Sequence, residues 1–129
     1  MNLAAPDVLL LASEWRDRAL LRAQLIEEGY EVIAVDGWPL PQLYRVAGME
    51  PRLLLVDLQG LSRPHETLAE VRQLAGPTRV LVVTALGTVT ADEVRALGFD
   101  VIQRPATIGQ IVAAVTALLT GKSRPAFGT

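Results

Sequence analysis

Short uninterrupted runs of aliphatic residues alternate along this chain with longer segments whose apolar residues recur at helical spacing. Runs of this length without polar residues are typical of parallel strands buried on both faces. They predict five strands, at 7–13, 31–36, 53–57, 79–83 and 100–103. Helical spacers between such strands belong on both sides of one sheet. The pattern therefore predicts a doubly wound α/β domain.

The spacers carry helix signals of their own. Residues 14–28 contain neither Gly nor Pro and are rich in Leu, Ala, Arg and Glu, which are good helix formers. Trp15 is expected to pack as the first-turn anchor of this helix, on one arc with Ala19, Ala23 and Ile26. Further helices are predicted at 64–75, at 90–97 with capping-box spacing between Thr90 and Glu93, and at 108–120. Residues 39–47 form at most a short helix.

The last predicted helix has no charged residue between Ala106 and Gly121. Its large aliphatic residues lie within about 120° of its circumference: Ile108, Ile111, Val112, Val115, Leu118 and Leu119. The sheet needs part of this stripe, but a helix without charges is unfavourable in water. We therefore expect its face, represented by Ile111, Ala113, Val115 and Ala117, to be buried by self-association or by a partner. A two-fold dimer is the default.

Length and composition exclude several classes of function. The 129 residues suit one domain, expected at 1–121 with a flexible tail at 122–129. A net charge of −2 leaves no electrostatic footprint for nucleic acid or an anionic membrane. The absence of Cys and the single His argue against thiolate or imidazole metal sites. The chain shows no signal peptide and no spanning segment, so a cytoplasmic protein is expected.

Three of the predicted strands stop at chemically distinctive residues. Asp57 ends the third strand, Thr84 follows the fourth and Arg104 follows the fifth. The carboxyl ends of parallel strands lie at one edge of the sheet, where binding sites of open α/β sheets form. The sequence therefore predicts one pocket shared by a carboxylate, a hydroxyl group and a guanidinium group.

With these residues in place, the chain resembles the receiver domain of two-component response regulators over about residues 7–120. Asp57 aligns with the phosphoacceptor aspartate of that family. The other matches are Ala12-Ser13-Glu14 with its acidic run, Gly29-Tyr30-Glu31-Val32 with its Gly-aromatic-x-Val signature, Thr84-Ala85 with its hydroxyl-small pair and Arg104-Pro105 with its Lys-Pro pair. The resemblance implies a flavodoxin-like (CheY-like) sheet of order 2-1-3-4-5. It also implies a non-enzymatic role in phosphorelay signalling, by docking on a sensor histidine kinase or another signalling protein.

The departures from the family pattern lie at the positions that bind the metal ion and contact the phosphoacceptor in that family. Ala12 and Ser13 stand where the resemblance implies a Mg²⁺-binding acidic pair, and Glu14 is acidic one residue late. Arg104 can grip a carboxylate with two parallel hydrogen bonds, so we expect it to contact Asp57 directly, with Ser13 and Glu14 across the pocket. Mg²⁺ should therefore bind weakly or not at all, and phosphorylation of Asp57 should be weak or lost. This describes a pseudo-receiver.

Two other functions stay open at this point. A flavodoxin-like module could bind a small ligand or nucleotide, although residues 12–17 lack a run of Ser, Thr or Gly to cradle a phosphate. A hydrolytic or transfer enzyme would need a nucleophile beside a base. The only histidine is His65 and there is no cysteine, so acid–base work by Asp57 and Glu14 is what remains for an enzyme.

Overall fold

The computed structural model describes residues 5–37 and 50–121, and these residues form five strands and four helices. In chain order they are β1 (Val8–Ala12), α1 (Trp15–Glu27), β2 (Val32–Val35), β3 (Leu53–Asp57), α2 (Pro64–Ala75), β4 (Arg79–Val83), α3 (Ala91–Ala96), β5 (Asp100–Ile102) and α4 (Ile108–Leu119). Each predicted strand and helix in these ranges is present, with bounds that differ by at most one residue. The short helix expected at 39–47 and the tail at 122–129 lie outside the described residues.

The strands form one parallel sheet in the order β2-β1-β3-β4-β5, which confirms the predicted topology. Asp57, the last residue of β3, pairs with Ala12 on one side and with Val83 on the other. The chain leaves β1 and β3 towards opposite edges of the sheet. Such a point opens a crevice beyond the carboxyl ends of the strands, and Asp57 lies there.

The helices divide between the two faces of the sheet. On one face α1 and α4 cover a core formed by Val8, Leu10, Leu53, Leu55, Leu81, Val83, Leu21, Leu25, Ile111, Val115 and Leu118. On the other, α2 and α3 cover Leu9, Leu11, Leu54, Val56, Val80, Val82, Leu68, Val71, Ala91 and Val94. Side chains alternate along a strand, so Asp57 points to the same face as Leu55. The carboxylate therefore faces α1 and the segment that leads into α4.

Side-chain caps fix where the last two helices begin. At α4, Thr107 Oγ1 accepts a hydrogen bond from the Gln110 amide (3.0 Å), while Gln110 Oε1 accepts one from the Thr107 amide (2.8 Å). At α3, Thr90 Oγ1 accepts from the Glu93 amide (3.2 Å), but the Glu93 carboxylate lies 2.7 Å from His65 Nε2 of α2. Only half of the capping box predicted at Thr90 forms. In the described ranges, no helix is long and apolar enough to cross a membrane.

The structure corrects the interface predicted on the last helix. Ile111 and Val115 are fully buried in the core of this single chain, so the prediction that they form an interface is wrong. The sheet and α1 account for the uncharged character of α4, because five of its twelve residues are buried. Ala113 is exposed and Ala117 is half-buried; their role in an interface stays a prediction.

The inward face of α1 also differs from the predicted one. Leu21 and Leu25 are buried, whereas Trp15 is 62% and Ile26 43% exposed. Residues three and seven apart share a helix face, and Arg18 begins the series that continues through Leu21 and Leu25. Arg18 Nη1 donates to the carbonyl of Ala12 at 2.9 Å, so this face turns towards β1. Trp15 is therefore not the first-turn anchor.

A pair of alanine substitutions on neighbouring residues tests this orientation. Leu25→Ala should lower the free energy of unfolding by about 2–5 kcal/mol, because it leaves a cavity beneath α1. Ile26→Ala removes a side chain of equal size from the outer surface and should cost less than about 1 kcal/mol. Urea unfolding followed by circular dichroism measures both. Equal losses would mean that α1 is rotated relative to this structure.

Candidate functional site

Asp57 is held rigidly at the end of β3. Its side chain is only 1% exposed, and Oδ1 accepts a hydrogen bond from the amide of Gln59 at 2.9 Å. Aspartate commonly closes a turn in this way, by bonding the backbone two residues ahead. The amide of Leu58, the residue directly after Asp57, donates to the carbonyl of Val83 on β4. The carboxylate therefore has a fixed position and a fixed orientation.

Arg104 binds both oxygens of this carboxylate. Its Nη1 donates to Asp57 Oδ1 at 2.6 Å and its Nη2 donates to Oδ2 at 2.8 Å. Two parallel charge-assisted bonds of this kind are the strongest form of the guanidinium–carboxylate pair. The side chain of Arg104 is 12% exposed, so water screens the pair little. The predicted direct contact between Arg104 and Asp57 is confirmed.

Thr84 orients Arg104 from behind. Its Oγ1 accepts the backbone amide of Arg104 at 3.2 Å, and its carbonyl oxygen accepts Arg104 Nη1 at 3.0 Å. Its own amide donates to the carbonyl of Ile102 at 2.9 Å. Thr84 is nearly fully buried, so these bonds form away from solvent. The three predicted residues, Asp57, Thr84 and Arg104, thus form one hydrogen-bonded cluster.

Asp17 of α1 completes the cluster. Its Oδ2 lies 3.5 Å from Arg104 Nη2, which places the guanidinium group between two carboxylates. Sequence analysis missed Asp17 because the alignment drew attention to residues 12–14. A signal was available, since Asp17 lies in the first turn of α1 and helical side chains lean towards the N-terminus of their helix. That direction leads back to the end of β1.

The electrostatics keep Arg104 charged. The hydrogen bond to Asp57 raises the pKa of Arg104 above its usual value, against the opposing effect of burial, and the negative charges of Asp57 and Asp17 raise it further. A guanidinium group is already protonated throughout the range in which proteins fold. Arg104 is therefore a permanent counter-ion, and raising the pH does not release it.

The other two predicted pocket residues lie apart from this cluster. Ser13 Oγ donates to the carbonyl of Gly60, on the loop after β3, at 3.3 Å. Glu14 is exposed before the first turn of α1, and in the described part of the chain its carboxylate forms neither a hydrogen bond nor an ion pair. Glu14 therefore lies outside the pocket in which it was predicted, and Asp17, one turn further along, is the carboxylate of this segment that contacts Arg104.

Ser13 instead lines a separate cavity of about 420 Å³. It lies between the ends of β1 and β2 and the beginning of α2. Its lining is mostly polar and includes the carboxylates of Asp36, Glu66 and Glu70. The other described lining residues are Ser13, Gly37, Gly60, Leu61, Ser62, Arg63 and Thr67. Neither Asp57 nor Arg104 reaches it, so the chain has two distinct features at this edge of the sheet.

The donor atoms at Asp57 do not fit Mg²⁺, which takes hard oxygen ligands in near-octahedral geometry. Both carboxylate oxygens of Asp57 accept from Arg104. The carbonyl oxygens of Ala12 and Ser13, at the end of β1, accept from Arg18 Nη1 at 2.9 and 3.3 Å. Within residues 5–37 and 50–121, no group of three or more Asp, Glu, His or Cys residues could hold a metal ion. Two arginines occupy the oxygens that a metal would need.

No protein-family model and no curated protein matches this chain, but solved structures do. A response regulator receiver protein from Pseudomonas putida superposes with a TM-score of 0.71 at 21% identity, covering 94% of this chain and all of that one. A Francisella response regulator receiver domain gives 0.69 at 16% identity, covering 90% and 98%. An orphan response regulator from H. pylori gives 0.67 at 19% identity, covering 87% and 94%. The chain has the fold of a response regulator receiver domain.

Within this receiver fold, Asp57 occupies the end of the central strand β3, where the resemblance of the sequence placed a phosphoacceptor. The superposed structures share the fold at low sequence identity, so the chemistry of the edge depends on this chain's own residues. Here those residues are Asp57 and Asp17 on either side of Arg104, with Thr84 behind it. The receiver fold is retained around a closed ion-pair cluster.

A double-mutant cycle tests how far the cluster depends on charge pairing. Arg104→Met should lower the free energy of unfolding by about 3–5 kcal/mol, because it leaves the Asp57 carboxylate buried without its cation. Combining it with Asp57→Leu removes both charges and should recover most of that loss. Chemical unfolding of the single and double variants measures the coupling. A loss below about 1 kcal/mol for Arg104→Met would show that the ion pair is open in solution.

Proposed function

We propose that this chain is a receiver-type signalling domain that acts by docking on a partner protein, and that phosphorylation of Asp57 is weak or lost. The single observation that carries the proposal is the two-pronged ion pair, in which Arg104 binds both oxygens of Asp57 at 2.6 and 2.8 Å. The resemblance to receiver domains supports the signalling role. The ion pair supports a domain that holds one state.

The chemistry of acyl phosphate formation explains why this pair matters. A phosphoryl donor is anionic, so its approach to a carboxylate needs a cation between them and a free carboxylate oxygen as nucleophile. Arg104 supplies positive charge but takes both oxygens. Freeing one oxygen breaks a buried charge-assisted bond and leaves Asp57 partly unpaired, at a cost of several kcal/mol. Asp17 offers no substitute ligand because it faces the same guanidinium group.

A domain fixed in this way would function by shape rather than by switching. The partner we propose is a sensor histidine kinase or another signalling protein, met in the cytoplasm, and no catalysis by this domain is required. His65 supports the non-enzymatic role, because it is bonded to Glu93 between α2 and α3, whereas Asp57 points to the α1 and α4 face. The lone histidine and the buried carboxylate therefore belong to opposite faces of the sheet.

A small-ligand module is the second candidate, and the cavity beside Ser13 is what favours it. Its volume of about 420 Å³ lies within the usual range of ligand sites. Asp36, Glu66 and Glu70 contribute negative charge, and among the lining residues that the structure describes Arg63 is the single cation, so a phosphate-bearing nucleotide would be repelled. Calorimetric titration with ADP should show no binding. A neutral or cationic ligand would be the alternative to pursue.

Intact-mass spectrometry after treatment with acetyl phosphate and Mg²⁺ tests the proposed loss of phosphorylation. We expect the mass of the native chain to stay unchanged, because Arg104 covers the nucleophilic oxygens. A receiver domain with a complete acidic pair, treated in parallel, shows that the donor is active. A gain of one phosphoryl group that is abolished by Asp57→Asn would contradict the proposal and identify a working phosphoacceptor.

A Mg²⁺ titration tests the donor set separately. Trp15 begins α1, the helix that carries Asp17, and Trp38→Phe makes it the only tryptophan of the chain. Its fluorescence should show no saturation at sub-millimolar Mg²⁺, since Arg104 and Arg18 hold the available oxygens. The matched variant combines Ala12→Asp and Ser13→Asp with Arg104→Lys and should bind more tightly, because it adds two hard oxygen ligands. Saturation of the parent protein in the same range would mean that the arginines yield to the ion.

A further inference from the structure

The outer face of α1 carries most of the large apolar side chains that are exposed in the described residues. Four large apolar side chains are notably exposed in the described residues: Trp15 at 62%, Leu20 at 46%, Ile26 at 43% and Leu86 at 76%. Three of these four belong to the thirteen residues of α1. Single exposed apolar residues are ordinary, but a contiguous group marks an interaction surface.

Helix geometry gathers these residues on one side. Successive residues turn by about 100°, which puts Ala19 and Ala23 opposite the buried pair Leu21 and Leu25. Trp15 and Ile26 lie at the two ends of one margin of this face, and Leu20 lies on the other margin. Both alanines are exposed. The outer face of α1 therefore has small side chains at its centre and large apolar side chains along its margins.

Two opposite charges flank this face at its two ends. Arg16 lies in the first turn and Glu27 in the last, eleven residues apart, which is about three turns and roughly 17 Å along nearly the same line. Both are exposed, and within residues 5–37 and 50–121 neither forms an ion pair. The Arg16 guanidinium carbon lies 5.6 Å from the centroid of the Trp15 ring. This cation–π contact orients the indole and reduces the entropy it would lose on docking.

We propose that the outer face of α1 is a homodimer surface, on which a second copy of this chain packs its own α1 antiparallel about a two-fold axis. With the axis near the middle of the helix, Ala19 lies against Ala23 of the partner subunit, and small residues there let the helices approach closely. In this register Arg16 lies beside Glu27 of the partner subunit. Each of these contacts occurs twice because the interface is isologous.

The charge pattern favours a second copy over another protein. The face carries both halves of an ion pair at positions that an antiparallel two-fold axis exchanges, so it is complementary to itself. A parallel arrangement would bring Arg16 against Arg16 of the partner subunit and is disfavoured. The residues of α1 that bind the edge of the sheet, Asp17 and Arg18, lie on the inward half of the helix. The dimer is therefore independent of the chemistry at Asp57, so either proposal can be wrong while the other holds.

Sedimentation equilibrium of the full chain tests the dimer and its register. We expect a weak dimer, because one helix face buries less than the roughly 1,200 Å² of standard stable interfaces. Arg16→Glu or Glu27→Arg alone should weaken association about tenfold, since each places like charges at both symmetric contacts. The double variant R16E/E27R restores opposite charges and should associate about tenfold more tightly than either single variant, although it lacks the contact between Arg16 and Trp15.

Two alanine variants provide the matched control. Ala23→Glu places a charge at the centre of the outer face of α1 and should leave only monomer. Ala113→Glu makes the same change at the exposed alanine of α4 and should leave the dimer intact, with circular dichroism showing that both variants fold. The proposal is overturned if the native chain stays monomeric at several hundred micromolar. It is also overturned if Ala113→Glu separates the subunits, or if the double charge reversal fails to restore association.

Discussion

The ion pair between Asp57 and Arg104 is the interaction on which the carboxyl edge of this domain depends. A carboxylate buried at the end of a central strand is costly unless a cation and further hydrogen bonds satisfy it. This chain supplies the cation from the segment between β5 and α4, and Thr84 holds it in place with two hydrogen bonds. Asp17 adds a contact from α1. The pair therefore joins four separate elements at one point.

Such a cluster contributes less to net stability than its short distances suggest. The attraction within a buried pair is largely offset by the loss of hydration of its members. Removing one member alone is nevertheless expensive, and only the paired arrangement satisfies every charge. Arg18 extends the same principle by binding the carbonyl oxygens at the end of β1. The carboxylate and carbonyl oxygens at this edge are therefore already bonded to arginine side chains.

The fold and the central contact could be predicted because both depend on local signals. Strands buried on two faces are continuous apolar runs, and parallel strands bring their carboxyl ends to one edge, which placed Asp57, Thr84 and Arg104 at that edge. The resemblance to receiver domains implied the strand order that makes them neighbours. The orientation of α1 could not be predicted, since this helix has two apolar sides. Trp15, Ala19, Ala23 and Ile26 compete there with Leu21 and Leu25, and the contact of Arg18 with β1 decides between them. The spacing of apolar residues along the sequence cannot predict that tertiary contact.

The last helix shows the complementary ambiguity. A helix without charges is expected both of a buried element and of an interface, and the sequence of α4 suits either. The sheet and α1 bury Ile111 and Val115, and the exposed residues of α4 are Gly109, Gln110 and Ala113. In the described residues, three of the four exposed large apolar side chains lie instead on α1. That helix presents Asp17 inward to Arg104 and Trp15 outward to solvent, only two residues apart on a rigid segment. A partner bound at the outer face of α1 therefore contacts the side of the helix opposite to the one that closes the Asp57 site.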